Sequence, residues 1–382
     1  MQKDTGASVR IYNLAKGLAS TGNKVNVVLP KYYASSEFVD KIPVYGLTGL
    51  CPSGMLKVIG KIGKIAKPSA LYFFDFLFAV RASRYVQKAD IVQIEQPALS
   101  ILLTPFIQRT LKKPVAIDCH DVFQALRVKH TGLLRRVLET FLEKIAYRNA
   151  NLLLTVSEKE KELLVSMGFS RSKIVVVPNG VNTENFKRSG YSQEIRKKYG
   201  LDGSRIVVFV GNLAYLPNRE AIELISSKIA PRVREEVQDV KFLVVGKIRG
   251  EMQLPGITFT GFVDNVADLL AVSDVGIAPL LQGSGTRLKI LEYFSSGVPV
   301  VSTSVGAEGL RIENGHNIFI HDNLENFAAQ IIILLKDKEL SFDVGEAGRA
   351  VAANYDWNKI TEKLERDFQC FLSKYRASAD CA

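Results

Sequence analysis

The segment PLLQGSGTRLKILEYFSSGVPVV, residues 279–301, carries the most informative local pattern in the chain. It predicts a strand end, a glycine loop, a short helix that begins near Thr286, a glycine that stops this helix, and a new strand around Pro299. Gly283 and Gly285 allow a backbone to approach a ligand closely. The free N–H groups and the positive dipole end of the helix point into the loop, so the segment predicts an anion site suited to a diphosphate.

The charged residues of this helix support the same interpretation. Arg287 and Lys289 place cations in the first turn, where the helix dipole disfavours them unless an anion lies nearby. Glu292 follows Lys289 at a spacing that puts both on one side of the helix. A carboxylate at this position can accept hydrogen bonds from a ribose diol. An ordinary helix start with a solvated Lys289–Glu292 pair fits the segment equally well, and both interpretations stay open here.

Outside this segment, short apolar runs alternate with helical patterns along the whole chain. Such runs are typical of parallel strands that are buried on both faces. The alternation predicts an α/β protein with doubly wound parallel sheets. The predicted strands are 25–30, 91–94, 115–118, 152–156, 174–177, 206–210, 241–245, 275–278 and 298–302, and the predicted helices are 9–20, 133–148, 219–229 and 265–271.

The number of strands is too large for one compact sheet, so the chain needs a domain boundary. The turn-rich segment 178–182 follows a strand and precedes a polar stretch, which makes it the best candidate. We therefore predict a first domain of residues 1–180 that also includes a last helix, 356–382. The second domain is predicted to comprise residues 181–355.

The composition, 47% hydrophobic and 23% charged residues, predicts a globular protein. The longest apolar run, 71–80, is too short to span a bilayer, and the polar residues 1–6 predict no signal peptide. The scattered cysteines argue against a disulfide framework or a zinc site and favour a cytoplasmic location. These cysteines are Cys51, Cys119, Cys370 and Cys381.

The net charge of +11 is unevenly distributed. Residues 1–150 contain 22 Lys and Arg against 10 Asp and Glu, whereas the remaining residues are nearly balanced. Because no nucleic-acid-binding motif is present, we expect no nucleic acid partner, and an anionic membrane surface or a phosphate-linked acceptor is the preferred partner. The predicted contacts, on the inner face of the membrane, are the basic segment 56–67 and a second basic cluster within residues 127–136. This cluster consists of Arg127, Lys129, His130, Arg135 and Arg136. A basic face that is merely solvated remains the alternative.

Residues 292–301, EYFSSGVPVV, closely resemble the donor-binding signature of the retaining, metal-independent glycosyltransferases with the GT-B fold, the large group 1 family. Further segments resemble this family in the same order along nearly the whole chain. These segments are 6–10, 118–121, 156–158, 176–182, 208–212, 259–263, 273–279 and 355–357.

The resemblance implies two Rossmann-like domains that face each other across a cleft. It implies a hexosyltransferase-type enzyme that moves a sugar from a nucleotide-diphosphate sugar, of UDP type by family frequency, with retention of configuration. We expect a lipid-linked or cell-envelope glycan as acceptor, bound by the first domain. No metal or other cofactor is expected.

The resemblance also assigns roles to individual residues. Glu292 would hold the ribose hydroxyls, and Val263 would lie near the base. His120 would sit at the catalytic end of the cleft, with Arg287 and Lys289 at the leaving diphosphate; a structural role for His120 as a strand-end cap is the alternative. The remaining residues expected to bind the donor are Gly6, Gly211, Asn212, Gly283, Ser284, Gly285 and Thr286.

The chain departs from the family pattern at three places. No strand precedes the glycine loop at Gly6, so the first strand of the first domain is expected to be missing. Ser284 stands where the family often has a first glutamate. Asn212 and Pro217 stand where many members have an arginine and a lysine, so Arg287 and Lys289, with Arg219 as a further candidate, are expected to supply the missing charge.

Two other function classes remain open. A sugar-nucleotide epimerase of GT-B type would share the fold and the nucleotide site, but only His120 and Asp121 offer acid–base groups for it in the first domain. A non-catalytic nucleotide-sugar-binding protein would fit the missing strand and Ser284. A dehydrogenase is disfavoured because no GxGxxG motif follows a first strand.

Overall fold

The computed structural model describes residues 6–30, 38–39, 42–47, 82–95, 97–119, 122, 133–186, 192–247, 253–282 and 288–380. Two compact units divide the chain. The first consists of residues 1–178 and 360–382, and the second consists of residues 179–359.

The first unit contains two sheets in its described part. The strands are β1 (Val27–Pro30), β2 (Phe38–Val39), β3 (Ile42–Leu47), β4 (Val92–Ile94), β5 (Val115–Cys119), β6 (Leu152–Thr155) and β7 (Ile174–Val176). One sheet has the order β1–β3–β2, in which β1 and β3 are parallel and β2 is antiparallel to β3. The other is a parallel sheet of order β4–β5–β6–β7, and none of the described strand pairs joins the two sheets. The strand expected to be missing would precede Gly6, and residues 1–5 lie outside the described residues.

Helices cover the strands of the first unit. Every residue of β5 and β6 is buried, as the apolar runs in the sequence predict for central parallel strands. Residues 82–86 are also helical. The longer helices in the described part of residues 1–178 are α1 (Gly6–Ser20), α2 (Pro97–Thr110), α3 (Leu133–Asn149) and α4 (Glu158–Ser166).

The second unit is built on one six-stranded parallel sheet. Its strands are β8 (Arg205–Val210), β9 (Val240–Val245), β10 (Ile257–Gly261), β11 (Val275–Ala278), β12 (Val300–Ser302) and β13 (Phe319–Ile320). They lie in the order β10–β9–β8–β11–β12–β13, which, counted from β8, is the order 3-2-1-4-5-6 of a doubly wound Rossmann fold. The fold is therefore the α/β architecture with two parallel-sheet, Rossmann-like domains that the sequence predicts.

Helices lie on both faces of this sheet. They are α5 (Ser192–Lys198), α6 (Leu216–Leu224), α7 (Ala230–Glu236), α8 (Val266–Leu270), α9 (Leu288–Ser296), α10 (Leu324–Lys336) and α11 (Lys338–Ala352). Val207 and Phe209 of β8 pack into one apolar cluster with side chains of α6 and α10. Ile206 and Val208 pack into a second cluster with side chains of α9. Successive strand residues point to opposite faces, and both faces of β8 are covered. This strand is therefore apolar from Ile206 to Val210.

The helix that the sequence predicts over 219–229 is interrupted. After α6 the chain forms a π turn, Ile225–Ile229, in which the Ala230 N–H bonds to the Ile225 carbonyl five residues earlier. Pro231 follows directly and has no N–H to continue a regular helical ladder. The interruption therefore has a local cause in the sequence.

The last helix, α12 (Trp357–Asp380), belongs to the first unit from Ile360 onward. It packs directly on α1, where a Cβ atom at Gly17 would collide with the buried Thr361 side chain. Asn23, just after α1, donates a hydrogen bond of 2.9 Å to the Glu365 carboxylate. The first unit thus includes both ends of the described chain.

The loops after β8, β9 and β10 are joined by backbone hydrogen bonds. Gly211 N–H bonds to the Val245 carbonyl at 2.9 Å, and Gly246 N–H bonds to the Gly261 carbonyl at 3.0 Å. Gly246 has a φ of +147°, and a Cβ atom there would collide with the Gly211 carbonyl oxygen. Only glycine fits this position without moving the loop that follows β8.

We expect Gly246→Ala to lower the free energy of unfolding by about 3 kcal/mol or more, because backbone strain and a backbone collision act together. The measurement is urea denaturation followed by circular dichroism. The matched control is Gly203→Ala, since Gly203 also has a positive φ but open space around its Cβ position; this variant should lose only about 1 kcal/mol. Equal losses in the two variants would contradict the close approach at Gly246.

Candidate functional site

The strand order of the second unit locates a candidate site at one edge of its sheet. β8 has β9 on one side and β11 on the other, so the chain order reverses between β8 and β11. In open parallel sheets, ligands bind outside the carboxyl ends of the strands at such a switch point. Gly211 follows the end of β8 there, and Pro279 follows the end of β11.

The hydroxyl of Tyr293, on α9, connects these two strands at the point where they part. Its hydroxyl accepts a hydrogen bond of 2.8 Å from the Val210 N–H and donates one of 3.4 Å to the Ile277 carbonyl. A Cβ atom at Gly276 would collide with the Tyr293 ring, so the absence of a side chain there makes room for the ring. Burial raises the pKa of the Tyr293 hydroxyl well above its usual value, which keeps the hydroxyl proton available for donation.

Helix α9 is also fixed from behind by α11. A Cβ atom at Gly345 would collide with the Gly297 carbonyl oxygen, and one at Gly348 would overlap the Phe294 ring. Arg349 donates a hydrogen bond of 3.1 Å to the Ser296 carbonyl at the end of α9. These contacts hold α9 at a set distance from its neighbours, so the side chains of its first turns have a defined position.

Lys289, in the first turn of α9, lies against the loop that follows β8. Its ammonium donates a hydrogen bond of 2.9 Å to Asn218 Oδ1 and lies 3.8 Å from the centre of the Phe209 ring. Asn218 Nδ2 in turn donates a hydrogen bond of 2.9 Å to the Asn212 carbonyl. A cation in the first turn of a helix is thus brought to the switch point by groups of β8 and α6.

Glu292 lies one turn further along α9 and is half-buried. Desolvation raises the pKa of its carboxyl group to about 7, and the nearby Lys289 charge opposes part of this rise. Among the described residues, none donates a hydrogen bond to its carboxylate. The group therefore combines a raised pKa with free acceptor capacity toward a ligand.

Exposed apolar side chains surround the same edge of the sheet. Tyr215 and Leu216 follow β8, Phe262 follows β10, and Leu281 follows β11, and all four are exposed. They make up half of the large exposed apolar side chains in the described part of the chain. Such groups at a strand edge suit a flat ring or a sugar face.

The sequence-predicted donor residues have the following positions. Gly211 and Asn212 directly follow β8, and Asn212 is linked to Lys289 through Asn218. Val263 lies two residues beyond β10 and is half-buried against the core, without a described contact to Lys289 or Glu292. The segment 283–287, which includes Gly283, Ser284, Gly285, Thr286 and Arg287, lies outside the described residues.

In the first unit, Gly6 begins α1, and His120 lies outside the described residues. Arg10, one turn after Gly6, forms a fully buried two-point ion pair with Asp118 at 2.8 and 2.9 Å. Arg10 also donates a hydrogen bond of 3.1 Å to the Pro178 carbonyl. The start of α1 is therefore tied to the end of β5, two residues before His120.

Sequence reasoning missed Asn218, Phe209 and Tyr293. Asn218 follows Pro217 at the start of a helix, which in sequence indicates only a helix start. Phe209 and Tyr293 look like ordinary core aromatics in their segments. Their roles depend on contacts across 71 to 83 residues of chain, for which a single sequence carries no direct signal.

Neither a metal-binding group of side chains nor a membrane-spanning helix is found in the part of the chain that the structure describes. No three His, Cys, Asp or Glu side chains there are grouped closely enough to hold a metal ion. Within the same residues, no helix combines the length and the apolar character needed to cross a membrane.

Comparison with protein families gives two matches that together cover most of the chain. Residues 5–185 match the model described as Glycosyltransferase Family 4. Residues 204–337 match the model described as Glycosyl transferases group 1.

Among curated proteins, the sulfoquinovosyl transferase of Arabidopsis thaliana is 24% identical over 297 residues, which cover 73% of this chain and 56% of that protein. This chain spans about half the length of the Arabidopsis protein and of three other curated relatives. The phosphatidyl-myo-inositol mannosyltransferase of Mycolicibacterium smegmatis is 24% identical and aligns over 95% of this chain and 90% of its own length.

Among solved structures, Anabaena HepE in complex with UDP and glucose superimposes with a TM-score of 0.72 at 16% identity, over 97% of both chains. At this identity the likeness concerns the fold. It supports the GT-B class, with two Rossmann-like domains.

We expect the stability of the protein to depend on pH through Glu292. Because its pKa in the folded state is raised from 4.5 to about 7, the folded state binds more protons than the unfolded state between these values. This acid therefore opposes folding progressively as the pH rises from 4.5 to 7, and fully above 7. Glu292→Gln should be more stable than the wild type at pH 8 by on the order of 1–3 kcal/mol, and this gain should shrink toward pH 5.

The measurement is chemical denaturation of both proteins at pH 5, 6, 7 and 8. Glu236→Gln is a control of opposite sign, because Lys336 lowers the pKa of the Glu236 carboxyl and so stabilises the fold when that group is ionised. This variant should be less stable than the wild type by a nearly constant amount from pH 5 to 8, because the Glu236 carboxyl is ionised over this whole range. A pH-independent difference for Glu292→Gln would contradict the raised pKa.

Proposed function

We propose that this chain is a group 1 glycosyltransferase that transfers a hexosyl group from a nucleotide-diphosphate sugar to a lipid-linked or cell-envelope glycan, with retention of configuration. The observation that carries the proposal is the switch point of the second unit, where α9 presents Lys289 and Glu292 beside the ends of β8 and β11. A cation and a carboxylate one turn apart suit a diphosphate and a ribose.

The donor would be held by residues of the second unit. Glu292 would accept hydrogen bonds from the ribose hydroxyls, and Val263 would lie near the base. The backbone of Gly211, Asn212 and the segment 283–286 would approach the diphosphate and the sugar. A UDP sugar is our preferred donor, since the similar Anabaena structure contains UDP and glucose.

In the reaction we propose, the bond between the anomeric carbon and the diphosphate oxygen breaks, and its electron pair stays on the diphosphate. The acceptor hydroxyl attacks the anomeric carbon from the same face, and its proton passes to the departing phosphate oxygen. Lys289 and Arg287 would stabilise the negative charge that develops on the diphosphate. His120 would act near the donor sugar and Gly6 near the diphosphate, and we expect no requirement for a metal ion.

For the acceptor side, we propose that the first unit binds at an anionic membrane surface on the cytoplasmic side. The relative from Mycolicibacterium smegmatis is named for phosphatidyl-myo-inositol, a lipid. The predicted basic segment 56–67 lies outside the described residues, as do Arg127, Lys129 and His130 of the predicted cluster, whereas Arg135 and Arg136 belong to α3. Helix α3, however, exposes Val137 and Phe141 one turn apart, at 60% and 59%.

The same face of α3 carries cations toward its end. Lys144 and Arg148 follow Phe141 at spacings of three and seven residues, and Arg148 is exposed. An apolar pair that continues into basic residues is typical of helices that lie in the headgroup region of a bilayer. The excess positive charge of residues 1–150 adds attraction to anionic lipid.

Our first test of the function is nucleotide binding, measured by calorimetry and thermal shift with UDP, GDP and ADP. We expect one of them, UDP by preference, to raise the melting temperature of the wild type, because a ligand stabilises the state that binds it. Glu292→Ala should lose this binding, whereas Glu223→Ala, which removes an exposed carboxylate of α6, should keep it. If no nucleotide binds to the folded wild type, the proposed donor site is wrong.

Turnover separates the proposal from the two alternatives. After incubation with a UDP sugar in D₂O without an acceptor, an epimerase would change the sugar and incorporate deuterium, which NMR detects. A non-catalytic protein would bind the donor but leave it unchanged even with lipid-linked or glycan acceptors. We expect transfer to an acceptor, without deuterium in the sugar.

For the membrane contact, we expect the wild type to co-sediment with vesicles that contain phosphatidylglycerol and much less with vesicles of phosphatidylcholine alone. Replacing both Val137 and Phe141 by Ser should weaken this binding by about tenfold or more, because two apolar side chains no longer leave water. Phe342→Ser is the matched control, since Phe342 is similarly exposed but stands between the acidic residues Glu339 and Asp343. Binding that ignores the anionic lipid content would rule out this surface.

A further inference from the structure

We propose that Asn218 is a positioning residue that holds the Lys289 ammonium in place for the diphosphate of the donor. This inference rests on the proposed function, because it concerns how the donor site is assembled. It assigns a role to Asn218, whose local sequence indicates only the start of a helix.

The position of the Lys289 ammonium is energetically unfavourable in itself. The ammonium lies in the first turn of α9, where the positive end of the helix dipole disfavours a cation, and the Lys289 side chain is half-buried. Three groups in the described part of the chain help to offset this unfavourable free energy: the Asn218 amide oxygen, the face of the Phe209 ring and the nearby Glu292 carboxyl group. Of these three, the hydrogen bond to Asn218 fixes a direction, whereas ring and charge attraction are broad.

The orientation of the Asn218 amide follows from its partners. The Asn212 carbonyl can only accept a hydrogen bond, so it requires the NH₂ group of the amide. The ammonium of Lys289 can only donate, so it requires the amide oxygen. Both ends of the amide are used, and its rotation by half a turn would break both bonds at once.

The position of Asn218 is just as restricted. Its side chain is buried and packs on the backbone of Gly211, where a Cβ atom would come within 2.8 Å of Nδ2. Its own N–H bonds to the Tyr215 carbonyl at the start of α6. The amide is therefore held between the loop after β8 and the first turn of α6. Because its oxygen accepts the hydrogen bond from Lys289, the fixed amide also restricts the position of the Lys289 ammonium.

The hydrogen bond from Lys289 to Asn218 preorganises the ammonium for the binding of an anion. A free lysine side chain has many rotamers and loses this freedom when it binds a phosphate. A lysine whose ammonium is already fixed loses less, and fixed charges stabilise a leaving diphosphate without rearrangement. The expected benefit therefore appears in the part of the affinity that the diphosphate supplies, and the nucleoside part should be unaffected.

The test measures dissociation constants of UDP, UMP and uridine by calorimetry. The readout is the diphosphate increment, defined as the ratio of the dissociation constant of UMP to that of UDP. We expect Asn218→Ala to lower this increment by about tenfold, as for the loss of a hydrogen bond to a charged group, with uridine binding unchanged. Lys289→Ala should lower it at least as much.

A double-mutant cycle distinguishes positioning from general support of the fold. If Asn218 acts through Lys289, Asn218→Ala should have no further effect on the increment in a Lys289→Ala background. Asn317→Ala is the matched control, because Asn317 is equally buried in the same unit and bonds to the Glu313 N–H; it should lose stability and keep the increment. Asn218→Ser serves if Asn218→Ala does not fold, since it keeps a polar side chain at the position but is too short to hold the Lys289 ammonium and should also lower the increment.

The outcomes separate the two proposals. An equal loss of UDP and uridine affinity in Asn218→Ala, or additive effects with Lys289→Ala, would overturn the positioning role while the donor site stands. If the wild type binds neither these three ligands nor GDP or ADP, the proposed donor site is overturned, and the inference about Asn218 falls with it.

Discussion

The hydrogen bonds of the Tyr293 hydroxyl, between β8 and β11, are the interaction on which the second unit's candidate site depends. Two parallel strands that part at a switch point leave backbone groups without their ladder partners, and such groups are costly when they are buried. The hydroxyl satisfies one group on each strand, at Val210 and Ile277. Because Tyr293 belongs to α9, the same contacts set where the first turns of this helix lie.

The consequence is a site assembled by packing against backbone. Gly276 makes room for the Tyr293 ring, Gly211 makes room for Asn218, and Gly246 lets two strand-end loops meet. Lys289 and Glu292 then share one side of a helix that cannot shift. Desolvation and the neighbouring cation act on the Glu292 carboxyl in opposite directions, and burial has the larger effect.

Much of the fold could be predicted from the sequence, because parallel strands buried on both faces produce continuous apolar runs. All nine predicted strands are present, with ends shifted by a few residues. Four of the described strands were not among the predicted runs. The strands β2 and β13, of two residues each, are too short for a periodic pattern. The strand β3 contains Pro43 and Gly46, which indicate a turn, and β10 was indicated only by the family resemblance of residues 259–263. Helix α9 was predicted from its glycines and its charges, which are local features.

The candidate site could be predicted only where its chemistry is local. Lys289 and Glu292 stand out in their own segment, since charges at the start of an apolar helix are unusual. Asn218 and Tyr293 matter through partners far away in the chain, and an asparagine at a helix start or a tyrosine in an apolar helix has an ordinary local explanation. The ion pair of Arg10 with Asp118 was missed for the same reason, since 108 residues separate the two.

The place of α12 in the first unit has a consequence for the order of events during synthesis. Gly17 packs on Thr361, and the Lys363 ammonium donates a hydrogen bond to the Val176 carbonyl. Residues 1–178 of the first unit therefore need contacts from helix α12. A ribosome delivers Thr361 and Lys363 only after all of residues 179–359. The second unit can fold as soon as its own residues have emerged, whereas the first must wait with part of its surface uncovered. The unit translated first is therefore the one completed last.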